Sequence, residues 1–413
     1  MRIIILTQYF PPEVGAPQNR LYEVAVRLAK KGVEVEVLTA MPNYPKMQID
    51  PAYKGKWYVN EKMDGLNVHR SWVWVGKSKS IMSRLLNYFS FVFSSMWIGL
   101  FKLSKADYIF CESPPLFLGV SAIFLKKTKR AKLIFNVADL WPESAEKLGI
   151  ITNKFLLRVS TRLEEYLYKS SALITGQAQG IVKNIQDRFP AKTVYWLRNG
   201  VDLSYYDYEK VQSKWREENG FTANDFIVLY AGIIGYAQAL ELILKAGKAT
   251  EEHPEMKWIL LGSGPEKEKL LQMKAEMKLN NVFFYDPVTK KEMPQVWKAC
   301  DLAVVPLRRL DLFKGIIPSK LFEAMAMKKP LLLGVEGEAE DLFIKEGKAG
   351  LAFTPEDAAD LANKALYLYK NKQETSTLGE NGYNYVRSKF NRDIIAENFY
   401  DFLSSNLSAP KQA

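Results

Sequence analysis

A hydroxyl, an ammonium and a carboxylate lie close together in the segment Pro-Ser-Lys-Leu-Phe-Glu at residues 318–323 of this chain. The segment predicts the start of a helix, because Pro318 suits a first turn, where a missing N–H is tolerated. A helix N-terminus attracts phosphate, and Ser319 and Lys320 add a hydroxyl and a full positive charge there. Glu323 follows one turn later, within reach of a ribose diol. The same pattern is typical of an ordinary capped amphipathic helix, and both interpretations stay open.

Turns rich in glycine or proline follow several predicted strands in the second half of the chain. Gly232 and Gly235 follow one such strand, and Gly264 lies in the turn Gly-Ser-Gly-Pro after the next. Glycines at these places let a backbone approach a diphosphate closely. Together with the segment at 318–323, these turns predict a nucleotide site. The pair Arg308-Arg309 follows another strand and could meet phosphate, although such pairs are usually solvated.

The loop after the first strand is a second place where a ligand could bind. It contains Gly15 but not the pattern GxGxxG, so the dinucleotide fingerprint is absent. Gly15 would admit a diphosphate, and Glu13 and Arg20 could reach into a cleft. The alternative is a proline-rich loop that packs locally.

Two acidic residues follow a strongly apolar strand in the first half. Asp139 stands at the carboxyl end of that strand, and Glu143 follows one helical turn later. A carboxylate at this edge could bind a sugar hydroxyl or accept a proton. Asp139 could equally cap the helix that begins near residue 141.

Charge and composition limit the classes of function. Residues 1–200 hold 29 Lys and Arg against 15 Asp and Glu, whereas residues 201–413 hold 28 against 31. A basic first half could meet nucleic acid, anionic lipid or a phosphorylated substrate, or the lysines could simply be scattered and solubilising. The two cysteines, Cys111 and Cys300, predict neither disulfides nor a zinc site. His69 and His253 lie outside the loops described above, which disfavours a histidine-centred mechanism.

Apolar strands alternate with helical patterns along the whole chain, which predicts α/β units with mainly parallel sheets. The predicted strands of the first half are Ile3–Thr7, Val33–Thr39, Asn67–Val73, Tyr108–Cys111, Lys132–Asn136, Ala172–Thr175 and Thr193–Trp196. Those of the second half are Phe226–Ala231, Met256–Leu261, Val282–Tyr285, Leu302–Val305, Leu331–Gly334 and Gly350–Phe353. The pattern restarts near residues 198–205, so we predict domains at 1–200 and 201–390. A last helical segment, 391–413, is expected to pack back across the domain junction.

Residues 81–103 form a long apolar segment with many aromatic side chains. It is just long enough to span a membrane, but it contains Asn87 and four serines and lies between elements of one α/β domain. We therefore prefer a buried or interfacial helix to a span. The nearby charges of Lys77, Lys79 and Arg84 favour contact with a membrane surface.

Taken together, these motifs resemble the GT-B fold glycosyltransferases of the retaining family 4, and the resemblance covers nearly the whole chain. The motifs are FPPEVGAPQNR at 10–20, SPPLFLG at 113–119, DLWPES at 139–144, RNGVD at 198–202, YAGIIGYAQAL at 230–240, GSGPEK at 262–267 and IPSKLFEAMAMKKP at 317–330. Within that family the chain looks like bacterial N-acetyl-L-fucosaminyl transferases of O-antigen and capsule assembly.

The resemblance implies an α/β chain of two Rossmann-like, doubly wound domains facing a cleft, with a nucleotide-diphosphate sugar, expected to carry UDP, bound on the second. Glu323 matches the glutamate that binds the ribose, and Ser319 and Lys320 match positions near the diphosphate. The loop Asp286–Thr289, which contains Val288, follows a strand at a place where the family contacts the base. In the first domain, Gly15 matches a glycine loop over the diphosphate. Asp139 and Glu143 match the acidic side of the acceptor or sugar pocket.

The chain departs from the family pattern at Gly315, Ile233, Gln238 and Ala138, where the family often has Glu, Arg, Lys and His. The diphosphate clamp would then come from Lys320, Arg198 or Arg308. The resemblance implies transfer with retention, without metal or cofactor, in which cations stabilise the leaving diphosphate. The implied acceptor is a polyprenyl-diphosphate-linked glycan, and the implied location is the inner face of the plasma membrane.

Other classes of protein fit less well. A UDP-sugar 2-epimerase on the same fold usually has histidines beside the sugar, which this chain lacks. A nicotinamide dehydrogenase would need the absent GxGxxG motif. A nucleic-acid-binding module is disfavoured, because the aromatic residues are not interleaved with basic ones.

Overall fold

The computed structural model describes residues 1–13, 15–44, 47–76, 81–147, 149 and 151–408. For residues 16, 17, 81, 312 and 406–408 it describes the backbone alone. Lys77 and Lys79, whose charge favoured membrane contact in the sequence, lie outside the described residues, as do residues 409–413 of the predicted last segment.

The chain divides into two compact units. One comprises Met1–Asn199 together with Ile395–Ala413, and the other comprises Gly200–Ile394. Each unit is an α/β domain with its own sheet and its own hydrophobic core. The predicted fold class, two Rossmann-like domains, is confirmed.

The first unit contains an eight-stranded sheet with the order β3-β4-β2-β1-β5-β6-β7-β8. The strands are β1 Arg2–Leu6, β2 Glu34–Ala40, β3 Tyr58–Met63, β4 Leu66–Ser71, β5 Tyr108–Ser113, β6 Lys132–Val137, β7 Leu173–Gly176 and β8 Val194–Trp196. All pairs are parallel except β3 with β4. The inner strands are almost wholly apolar because helices cover both faces of the sheet.

Six helices of the first unit follow in chain order: α1 Ala16–Lys30, α2 Ile81–Lys102, α3 Leu118–Lys129, α4 Glu143–Lys147, α5 Lys154–Ser170 and α6 Gln179–Arg188. The helices α2, α3, α5 and α6 pack on one face of the sheet. The helix α1 packs on the other face.

The sequence analysis missed strand β3. This strand forms a hairpin with β4 through Asp64 and Gly65, both of which have a positive φ. Asp-Gly between alternating strand residues is a strong hairpin signal. The strand was overlooked because Tyr58–Met63 is polar on its outer face, as an edge strand can be.

The second unit contains a six-stranded parallel sheet with the order β11-β10-β9-β12-β13-β14. Its strands are β9 Phe226–Ala231, β10 Met256–Leu261, β11 Val282–Tyr285, β12 Leu302–Pro306, β13 Leu331–Gly334 and β14 Gly350–Ala352. The six strands predicted for this half are confirmed to within one residue. Counted within the unit, the order is 3-2-1-4-5-6, the dinucleotide-binding topology, and its switch point lies between β9 and β12.

The helices of the second unit surround this sheet. They are α7 Trp215–Glu218, α8 Glu241–Ala249, α9 Lys267–Glu276, α10 Met293–Ala299, α11 Lys320–Ala326, α12 Glu338–Glu340, α13 Ala358–Lys370 and α14 Lys372–Lys389. The last helix, α15 Arg392–Ser408, starts at the end of this unit. From Ile395 onward it belongs to the first unit, where Phe399 and Leu403 join the core beside α1.

Candidate functional site

Two glycine turns of the second unit meet at the carboxyl ends of β9 and β10. The Gly232 amide donates to the Leu261 carbonyl at 2.9 Å, and the Ile234 amide donates to the Ser263 carbonyl at 2.9 Å. These bonds extend the sheet ladder past the ends of both strands. The turns therefore form one continuous backbone surface at the edge where ligands bind in this topology.

This contact leaves no room for side chains. A Cβ on Gly264, whose φ is +158°, would lie 2.2 Å from the Ile234 carbonyl oxygen. Gly235 differs, because its backbone is extended and a Cβ there would press on the flexible Gln238 side chain and meet Ile233 at an ordinary contact distance. Of these two predicted donor contacts, Gly264 is thus required for packing and Gly235 is not.

Lys320 lies over the first of these turns. A Cβ on Gly232 would come within 2.6 Å of the Lys320 ammonium nitrogen, which stands 3.7 Å from the centre of the Tyr230 ring. Since Tyr230 is in β9 and Lys320 begins α11, the ammonium is held at the switch point of the sheet. The structure thus brings Lys320 and Gly232, two predicted donor residues, into direct contact.

The Lys320 ammonium has an unusual electrostatic environment. Within the described part of the chain, it lies over the Tyr230 ring and is hydrogen-bonded to no carboxylate or carbonyl. Burial lowers the pKa of this ammonium to about 7, and the charge of Glu323 offsets part of that effect. An anion at this place would therefore gain a partner that the protein itself does not neutralise.

Glu323 is held one turn further along α11. The Trp297 indole donates to its Oε2 atom at 3.4 Å, and the Tyr206 side chain lies beside it. Burial raises the pKa of the Glu323 carboxyl, although Trp297 and Tyr206 lower it. A half-buried carboxylate fixed in this way can accept hydrogen bonds from a diol in one orientation.

The helix start itself differs from the expectation. The observed helix begins at Lys320, so Pro318 and Ser319 precede it, and the Ser319 side chain makes no capping hydrogen bond. With seven residues, α11 has a weak dipole, and the positive charge at this place comes mainly from Lys320. Pro318 and Ser319 are half-buried beside the ammonium and stay predicted donor contacts.

Arg308 is not available for a diphosphate clamp. Its guanidinium donates to Glu241 at 2.8 Å and to Glu356 at 3.1 Å, and it stacks on the Tyr236 ring. A group with two carboxylate partners would have to lose them to bind phosphate. Of the two cations of the second unit that the sequence analysis named for the clamp, only Lys320 therefore remains available beside the glycine turns.

The loop after β11, which carries Val288, borders the second glycine turn. The Lys267 ammonium donates to Asp286 at 2.6 Å and to the Gly262 carbonyl at 3.3 Å, which ties the loop to that turn. Val288 is half-buried there. Its predicted contact with a nucleobase stays a prediction.

In the first unit, Asp139 follows β6 as predicted. Its Oδ1 atom accepts a hydrogen bond from the Ser144 hydroxyl at 2.5 Å, and α4 begins only at Glu143. Glu143 pairs with Lys147 on the surface of α4 at 2.6 Å. Both carboxylates remain partly accessible, so their predicted roles stay open.

Glu13 and Arg20 have structural partners instead of facing an acceptor. The buried Glu13 carboxylate accepts from the backbone amides of Phe10, Asn43 and Tyr44 at 2.8–3.1 Å. Arg20 is buried and donates to Glu112 at 2.6 Å. Contact with an acceptor would break these bonds, and the structure therefore does not favour either residue for that role.

Gly15 and Arg198 also belong to the first unit. Gly15 precedes α1 in an extended conformation that any residue can adopt, so its backbone does not require glycine. Arg198 lies over the Trp196 ring, 4.8 Å from its centre. Their predicted contacts with a donor stay predictions.

Three residues of the site were missed by the sequence analysis. Tyr230, Trp297 and Tyr206 come from a strand, a helix and the segment after residue 200, and they meet Lys320 or Glu323 only in the fold. No local spacing indicates them. A cation over a glycine turn at the switch point of a Rossmann-like sheet is typical of nucleotide-binding proteins.

Family models agree with this class. The Glycosyl transferase 4-like domain model matches residues 15–200, and the Glycosyl transferases group 1 model matches residues 211–385. The chain therefore belongs to the glycosyltransferases of the GT-B fold.

Individual relatives are distant. The chain is 24% identical over 347 residues to WcaI of Escherichia coli K12, a glycosyl transferase named for colanic acid biosynthesis, with 82% of this chain and 84% of the relative covered. It is 20% identical to the O-antigen chain mannosyltransferase C of Escherichia coli over 99% of this chain and 100% of the relative. The crystal structure of Anabaena HepE with UDP and glucose is similar at a TM-score of 0.71 and 20% identity, with coverage of 98% and 100%.

We expect Gly264→Ala to destabilise the second unit and Gly235→Ala to leave it nearly unchanged. The first substitution forces a Cβ against the Ile234 carbonyl, which costs a few kcal/mol, whereas the second displaces one flexible side chain and costs ~0.5 kcal/mol or less. Thermal and denaturant unfolding of both variants measure the difference. Equal stabilities would contradict the close packing of the two turns.

Proposed function

We propose that the protein transfers a sugar from a nucleotide-diphosphate donor, with UDP as the nucleotide, to a glycan acceptor in surface polysaccharide synthesis. The observation that carries the proposal is the Lys320 ammonium over the Gly232 turn, with Glu323 fixed one turn away. The names of the relatives in colanic acid and O-antigen synthesis support the pathway class. The complex of HepE with UDP supports the choice of nucleotide.

The donor would bind with its diphosphate at Lys320 and the glycine turns and its ribose at Glu323. Lys320, whose ammonium occupies the space above Gly232, gains a charge-assisted bond to the diphosphate oxygens. Glu323 would accept both ribose hydroxyls while Trp297 and Tyr206 keep the carboxylate in place.

The reaction would proceed with retention and without a metal. The bond between the anomeric carbon and the diphosphate breaks, the acceptor oxygen bonds to that carbon on the same face, and its proton passes to the leaving diphosphate. Lys320 stabilises the charge that develops on the diphosphate. Asp139 and Glu143 remain the carboxylates proposed to contact the acceptor or the sugar.

The sugar and the acceptor follow from the sequence resemblance. We propose an N-acetylated amino sugar such as N-acetyl-L-fucosamine, and a polyprenyl-diphosphate-linked glycan at the inner face of the plasma membrane. Incubation of the protein with candidate donors and a lipid-linked N-acetylhexosamine, in buffer with EDTA, tests both the sugar and the acceptor. NMR of the product then reports whether the configuration of the anomeric centre is retained. Inversion of that centre, or a strict metal requirement, would contradict the mechanism.

Thermal shift with UDP, GDP, ADP, dTDP and NAD tests the donor site directly. We expect UDP to raise the melting temperature through binding to the native state. Lys320→Ala should abolish most of the shift, and Glu323→Gln should weaken affinity about tenfold through loss of ~1.4 kcal/mol of hydrogen bonding. Lys314→Ala, which removes an exposed lysine of the same unit, is the control and should shift like the native protein. Stabilisation by NAD alone would overturn the transferase assignment.

The affinity for UDP should fall as pH rises above 7. Because burial lowers the pKa of the free Lys320 ammonium to about 7, and a bound diphosphate raises it, binding takes up a proton between the two values. Kd measured by calorimetry from neutral to alkaline pH, where the UDP phosphates keep their charge, should increase up to about tenfold per pH unit. Lys320→Arg keeps its charge throughout, and an equally steep slope in this variant would rule out Lys320 as the titrating group.

A further inference from the structure

Helix α2 of the first unit is apolar on two faces, because Phe91 is buried in the core and a row of large apolar side chains faces outward. Its polar residues Asn87, Ser94 and Ser95 are buried and hydrogen-bonded to Gln8, Ser71 and Ser121 of the same unit. Its outward face carries seven large apolar side chains that are 36–72% exposed. We call them the apolar stripe: Met82, Leu86, Phe89, Phe93, Trp97, Leu100 and Phe101.

The spacing of the apolar stripe puts it on one side of the helix. Successive members are mostly three or four residues apart, so they line one face along the full length of α2. Exposed apolar side chains are ordinary when scattered, but a contiguous row of this length marks an interaction surface. The core contacts of α2 come from Phe91, Val92 and Ile98, which lie outside this row, so packing against the sheet does not account for the exposed apolar side chains.

The charges around the apolar stripe select the partner. Neither α2 nor α3, which packs beside it, contains an acidic residue, and the other exposed positions of α2 are Arg84 and Lys102. On α5, which packs against α3 in turn, exposed Phe155 and Tyr166 alternate with the exposed basic residues Lys154, Arg158, Arg162 and Lys169. The two acidic residues of α5 are each paired with a cation of the same unit.

We propose that the apolar stripe, with the outer face of α5, inserts into the interface of an anionic lipid bilayer. Apolar and aromatic side chains enter the acyl boundary, and the surrounding cations meet anionic headgroups. A second copy of this chain would present the same positive surface and is disfavoured by repulsion. The proposal rests on the proposed function for one point only, the identity of the lipid-linked acceptor. Binding of the bilayer at this surface would bring that acceptor within reach of the protein.

The helix lies along the membrane surface in this arrangement. No helix in the described ranges is long and apolar enough to cross a membrane. The hydrogen bonds of Asn87, Ser94 and Ser95 also hold α2 against the sheet along its length. Insertion is therefore limited to the outer side chains, as in a monotopic protein.

Co-sedimentation with vesicles tests the proposal without donor or acceptor. The probes are vesicles of phosphatidylcholine alone and of phosphatidylcholine with an equal part of phosphatidylglycerol, at low and high salt. We expect the full chain to bind the anionic vesicles. The double variant Phe93→Ser/Trp97→Ser should bind them with an affinity reduced about tenfold or more, because two exposed rings no longer enter the bilayer. Arg158→Glu/Arg162→Glu should remove the preference for anionic vesicles at low salt. Tyr367→Ser, which changes an exposed ring of the second unit, is the matched control and should bind like the native chain.

The outcomes separate this proposal from the proposed function. Absence of vesicle binding by the native chain, or unchanged binding by Phe93→Ser/Trp97→Ser, overturns the docking surface. Dimerisation that depends on the apolar stripe, measured by analytical ultracentrifugation without lipid, overturns it in favour of a second copy. A UDP thermal shift in the serine variant shows that the second unit is folded, and failure of that shift in the native chain bears on the donor site alone.

Discussion

The second unit depends on the approach of two backbone turns that admits no side chain between them. Gly232, Gly262 and Gly264 all have a positive φ, and Cβ atoms on Gly262 and Gly264 would collide with carbonyl oxygens of the facing turn. The approach extends the sheet ladder beyond β9 and β10. The missing side chain of Gly232 also leaves the space that the Lys320 ammonium occupies.

The cation then determines the chemistry available at this edge. Lys320 rests on the Tyr230 ring without a carboxylate partner among the described residues, and burial shifts the pKa of its ammonium to about 7. An isolated, partly desolvated charge of this kind gains much from an anionic ligand. Arg308, by contrast, has two carboxylate partners, which makes it part of the scaffold. Both side chains carry positive charge near the same strand ends. They differ because carboxylates of the protein accept hydrogen bonds from Arg308 and, among the described residues, not from Lys320.

The first unit uses its polar residues differently. Glu13 joins two loops through backbone amides, and Arg20 with Glu112 forms a buried pair that Asn136 and Thr175 extend across the sheet. Buried polar groups need such partners, and these residues are occupied by the fold. The same requirement is met on helix α2, whose buried serines and asparagine find hydrogen bonds inside, beside the buried Phe91, while a row of other apolar side chains faces outward.

The sequence by itself determined the two α/β units, nearly all parallel strands, and the glycine turns and the cationic start of α11 in the second unit. These features are local, because apolar runs, glycine turns and strand ends follow from neighbouring residues. Only the tertiary structure decided that Trp297 and Tyr206 hold Glu323, that Arg308, Glu13 and Arg20 are engaged elsewhere, and which face of α2 is exposed. Those outcomes depend on which partner each polar group finds across the fold, and residue spacing along the chain carries no record of that choice.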